Sequence, residues 1–130
     1  MGIATRSITA TTEFYKSLGL EIESIEVVRD QNVRVAIMKV GDSAIELMEP
    51  IGDNSPIDRF LRRRDEGLHH ITLEVSNLEG KLEGLKKKNI RLIDEKPRRG
   101  AEDSRIAFIH PDSAGGVLIE LLERAPKEAV

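Results

Sequence analysis

The sequence contains no cysteine in its 130 residues, which excludes disulfides and thiolate chemistry. It also lacks an excess of basic charge. The formal net charge is −3 and the pI about 5.7. Binding a phosphate backbone requires a basic face, so no nucleic-acid partner is expected. No apolar run approaches the roughly 20 residues that cross a bilayer. The opening MGIATRSITATTE lacks the charged-then-apolar layout of a signal peptide. The expectation is therefore no membrane partner and a reduced, cytoplasmic setting. Aromatic residues make up only 3%, but 39% hydrophobic and 33% charged residues are the ordinary mix of a soluble globular protein. The length suits a single domain spanning 1–130.

Three short basic runs stand out: RFLRRR (59–64), KKK (86–88) and KPRR (96–99). Each is interleaved with acids and fits a solvated helix or loop face. The functional alternative is that one of them meets an anionic ligand, such as the phosphates of a nucleotide-bearing substrate.

The chain repeats itself. At an offset of 70, MGIATRSITATTEFYKSLGLEIES from position 1 lies on ITLEVSNLEGKLEGLKKKNIRLID from position 71. Both read as a short strand, a helix, a turn residue and another strand. Ser7 and Asn77 sit at matched positions and suit a helix N-cap. Gly19 and Asn89 match where a left-handed residue should end the helix. RVAIM (34–38) matches RIAFI (105–109) at an offset of 71, and AIELM (44–48) matches LIELL (118–122) at an offset of 74. The pattern predicts two βαβββ modules, about 1–50 and 67–130, joined by residues 51–66. The join carries its own helix signal: Ser55 to cap, Pro56 in the first turn, and an apolar stripe of Ile57, Phe60 and Leu61. The expected fold class is α+β, with the modules related by a pseudo-twofold and their mixed sheets curled into a metal-binding cup.

The matched strands carry carboxylates inside apolar runs. Glu46 shares a strand face with Ala44 and Met48, and Glu120 with Leu118 and Leu122. A carboxylate on an apolar face is costly unless it is paired or bound to a metal. In GLHHITLEV (67–75), two adjacent histidines enter a strand, and only one can share its face with a site. His70 directly precedes ITLEV, and its partner at an offset of 70 would fall one residue before Met1. The symmetric site would hold two histidines and two carboxylates, a reasonable set for a divalent first-row metal. This chain supplies Glu46, His70 and Glu120. His69 then points the other way, into packing or a local hydrogen bond.

These residues resemble the vicinal-oxygen-chelate superfamily (glyoxalase, bleomycin resistance and dioxygenase proteins), whose members pair βαβββ modules around a metal. Within it the chain resembles the methylmalonyl-CoA epimerase family. FYKSLGL (14–20), IELMEPIGDNSPIDRFL (45–61), GLHHITLEV (67–75), RLIDEKPRRGA (91–101) and IAFIHPDSAGGVLIELLE (106–123) carry the likeness. The resemblance implies interconversion of the (2R) and (2S) forms of methylmalonyl-CoA through a stabilised enolate. It implies a divalent ion (Co, Mn, Ni or Zn) on Glu46, His70 and Glu120. Glu120 doubles as a catalytic proton carrier, and His110 and Ser113 lie near the substrate. It further implies an acyl-CoA substrate and a homodimer.

The chain departs from the family pattern in three places. The family's histidine in the opening strand would precede Met1, so the expectation is either that a longer chain would restore a fourth ligand or that the site works with three protein ligands and water. Val35 stands where some epimerases carry a glutamate for the second proton transfer. The common Gly-Ala-Gly-Gly loop reads Gly100-Ala101-Glu102-Asp103. Alternatives on the same scaffold are a glyoxalase-type lyase acting on a thiol adduct, an extradiol-type dioxygenase and a non-catalytic small-molecule-binding protein.

Overall fold

The computed structural model describes residues 1–100 and 103–125. The described residues form eight strands and three α-helices, an α+β arrangement. They fall into two compact units, Met1–His69 and His70–Val130.

The first unit runs β1 (Gly2–Ala4), α1 (Ile8–Ser17), β2 (Ile22–Val28), β3 (Val33–Val40), β4 (Ser43–Pro50) and α2 (Pro56–Arg64). Its strands lie in the order β2-β3-β4-β1, with β1 parallel to β4 and the other pairs antiparallel. Ser7 caps α1, its hydroxyl accepting from the Ala10 N–H at 3.1 Å, and Gly19 leaves the helix at φ +89°. Strand alternation then sorts the core onto two faces. Ala36, Met38 and Leu47 pack with Ile8 of α1. Val33, Val35 and Met48 pack with Ile57, Leu61 and Phe60 of α2.

The second unit takes up β5 (Gly67–Glu74) at His70, followed by α3 (Leu78–Lys87), β6 (Arg98–Arg99), β7 (Ser104–Ile109) and β8 (Leu118–Arg124). Its strand order is β5-β8-β7-β6, with β5 parallel to β8. Asn77 caps α3, and Leu78 and Leu82 of that helix pack on Ala107, Ile109 and Leu121.

The repeat holds down to single contacts. The Ile8 N–H donates to Glu49 Oε2 at 3.2 Å, and at the equivalent positions the Leu78 N–H donates to Glu123 Oε2 at 3.3 Å. Each carboxylate sits where the helix dipole favours negative charge. Each also pairs with the matching arginine, Arg34 at 3.8 Å and Arg105 at 2.7 Å. The Arg105 guanidinium holds the Glu123 carboxyl below its ordinary range.

One element differs from the sequence pattern. Residues 91–95 do not form a full second strand: Leu92 makes an isolated bridge to Ile109, and β6 is two residues long. Here a side chain replaces the ladder, because Asp94 Oδ2 accepts the Phe108 N–H at 2.8 Å. Pro97 has no N–H to donate. The joining helix α2 lies within the first unit, where its apolar stripe packs on β3 and β4. That helix ends at Asp65, whose φ of +66° lies in the left-handed region.

Candidate functional site

In the second unit, the parallel pairing of β5 and β8 sets His70 opposite Leu118 and Thr72 opposite Glu120. His70 and Glu120 therefore share a face. His70 Nε2 lies 3.9 Å from Glu120 Oε2, with the side chains 7% and 16% exposed. An imidazole nitrogen and a carboxylate oxygen converge there in largely dry surroundings. Phe108 is the partner of Glu120 across β7 and β8, so its ring lies on the same face.

In the first unit, Glu46 is the partner of Gly2 on β1 and of Ile37 on β3. Its face is the one that carries Val35, Ile37 and Met48. Burial raises the Glu46 carboxyl above its ordinary value; the Met1 ammonium works against this, and the charge of Glu26 adds to it. A carboxyl raised in this way holds its proton better in the folded than in the unfolded chain. Its contribution therefore falls as pH rises from the ordinary carboxylate value through the raised one. Glu46→Gln is accordingly expected to raise the melting temperature of the metal-free protein at pH 7, on the order of a few degrees, and to change little below about pH 4. Thermal melts at the two pH values test this, and an unchanged melt at pH 7 counts against it.

His69 faces the other way, as alternation requires. Its ring meets Phe60 edge-on at 4.9 Å, and burial lowers its pKa. His110 and Ser113 are both used within the turn at Pro111–Ser113. His110 Nδ1 accepts the Asp112 N–H at 3.0 Å, and Ser113 Oγ accepts the Arg91 N–H at 2.9 Å. In the Gly100-Ala101-Glu102-Asp103 loop, Ala101 and Glu102 lie outside the described residues.

The structure thus brings His70 and Glu120 together, while Glu46 belongs to the first unit. Among the described residues, no group of three or more His, Asp or Glu side chains is close enough to hold a metal ion. The His70–Glu120 pair nevertheless suits a divalent first-row ion as two donors of a larger ligand set. Sequence reasoning did not single out Phe108 or the job of Glu49 and Glu123. Matching arginines in RVAIM and RIAFI were the available signal for the latter.

The model of the glyoxalase/bleomycin resistance protein/dioxygenase superfamily matches residues 1–108. The chain belongs to that superfamily. Among superfamily relatives, the uncharacterized protein YqjC of Bacillus subtilis (strain 168) is 41% identical over 124 residues, covering 95% of this chain and 89% of that protein. The mitochondrial methylmalonyl-CoA epimerase of Homo sapiens is 36% identical over 123 residues, covering 93% of this chain and 70% of that protein. A solved structure of methylmalonyl-CoA epimerase in complex with methylmalonyl-CoA and NH4+ aligns with a TM-score of 0.84 at 34% identity, over 99% of this chain and 94% of that one.

Proposed function

We propose that this chain is an epimerase that interconverts the (2R) and (2S) forms of methylmalonyl-CoA. The observation that carries the reading is the buried meeting of His70 Nε2 and Glu120 Oε2 at 3.9 Å, in a chain similar to methylmalonyl-CoA epimerases. Carbon 2 of the substrate lies between a thioester and a carboxylate, so its proton is already labile. Glu120 removes that proton as the carboxylate, and the C–H electron pair passes into the thioester to form an enolate. The apolar neighbours Leu118, Leu122 and Phe108 keep water from the developing charge. A second acid delivers a proton to the opposite face, and Glu120 gives up its own proton to water, which completes the inversion and restores the carboxylate.

His70 and Glu120 would hold a divalent ion as two of its ligands. What such an ion supplies is Lewis acidity at the malonyl oxygens, which acidifies carbon 2. The same reading includes a homodimer, as the family resemblance implies.

The test is proton NMR of methylmalonyl-CoA in D2O with this chain and Co2+. Loss of the C2–H signal well above the protein-free control is expected. Absence of exchange, together with turnover of a glutathione hemithioacetal, would replace the epimerase by a glyoxalase-type lyase.

A further inference from the structure

The basic run KPRR (96–99) is not used by the chemistry above, yet the register of β6 divides it. Arg98 pairs with Ile106 and Arg99 with Arg105. Ile106 is two residues from Phe108, so Arg98 falls on the face of Phe108 and Glu120, and Arg99 on the opposite one. The Arg98 guanidinium carbon sits 5.1 Å from the centre of the Phe108 ring. Its Nε is 3.4 Å from Asp94 Oδ2, the oxygen that also accepts the Phe108 N–H. One carboxylate thus holds both the Phe108 backbone and the cation that lies over its ring.

We propose that Arg98 binds an anionic oxygen of the acyl-CoA on the Glu120 face. This rests on the epimerase reading and deepens it. The side chain is 55% exposed, so an incoming ligand can reach it. Asp94 occupies the Nε edge of the guanidinium, and the two Nη groups form the edge suited to a planar oxyanion. Stacking on Phe108 orders the long side chain beforehand, which lowers the entropy lost when a ligand binds. The nearby Arg105 and Arg91 are already committed, Arg105 to Glu79 and Glu123 and Arg91 to Asp112. The methylmalonyl thioester of coenzyme A offers two anionic sources, the malonyl carboxylate and the phosphates.

Calorimetric titration of the full chain with Co2+ present separates them. The probes are methylmalonyl-CoA, propionyl-CoA, which keeps the phosphates and lacks the carboxylate, and methylmalonyl-pantetheine, which does the reverse. Arg98→Gln is expected to weaken methylmalonyl-CoA about tenfold, the usual scale of one charge-assisted contact, with an unchanged melting temperature. A matching loss with propionyl-CoA alone assigns the phosphates; a loss with methylmalonyl-pantetheine alone assigns the carboxylate. Arg98→Lys, which keeps the charge but not the planar fork, is expected to recover part of the loss. If the wild-type chain binds the probes and both variants bind them equally well, Arg98 only covers Phe108 and the proposal fails. If the wild-type chain binds none of them, the acyl-CoA reading falls first and takes this proposal with it.

Discussion

Glu120→Gln is expected to slow C2–H exchange of methylmalonyl-CoA by about a thousandfold, within the range a positioned acid or base contributes. The substitution preserves the shape of a side chain that is only 16% exposed, and it removes the oxygen able to take a proton. The strand pairing of Glu120 with Thr72 and Phe108 is made by the backbone and is unaffected by the change. The melting temperature should therefore move little. One complication has a direct control: His70 Nε2 lies 3.9 Å away, and a neutral amide is a weaker metal donor than a carboxylate. Metal bound per chain is accordingly measured alongside the rate. A large loss of exchange with metal retained assigns the proton transfer to Glu120. Loss of both together assigns it to ion binding instead. Exchange within a factor of ten of wild type would remove Glu120 from the chemistry.

The sequence displayed most of this architecture because the repeat acts as an internal alignment. The matched pairs Ser7 and Asn77, and Gly19 and Asn89, cap and end their helices in the same way. The alternation in AIELM and LIELL put Glu46 and Glu120 on their observed faces. What it did not display depends on which side chain competes with a backbone ladder. RLIDE has the composition of a strand, but Asp94 spends its carboxylate on the Phe108 N–H, and only Leu92 bridges. The partnership of Glu49 and Glu123 with helix N-termini was equally hidden. Periodicity reports which face a carboxylate occupies and says nothing of the amide it will meet. The same limit applied to KPRR, whose arginines separate onto two faces only once β6 is registered against β7.

The other large effect is on stability, and the repeat predicts it twice. Leu47 and Leu121 are equivalent positions, 0% and 6% exposed. Each faces an alanine directly across the strand pair: Ala36 opposite Leu47 and Ala107 opposite Leu121. The alanine has no side chain that could swing into a vacated space. The overlying helix residues, Ile8 in one unit and Leu78 in the other, are held by N-terminal bonds to Glu49 and Glu123. Both sites are therefore poorly able to collapse, which is the condition under which a deleted leucine costs most. Leu47→Ala and Leu121→Ala are each expected to cost about 2–5 kcal/mol, a large part of the roughly 5–15 kcal/mol that a domain has in total. Urea unfolding of the two variants measures this, and Leu47→Ala should show the larger loss because it is the more completely buried. A cost below about 1 kcal/mol at both positions would mean that the helices settle onto the sheet despite their anchors. In that case the carboxylate clamps at Glu49 and Glu123 guide helix position without fixing it.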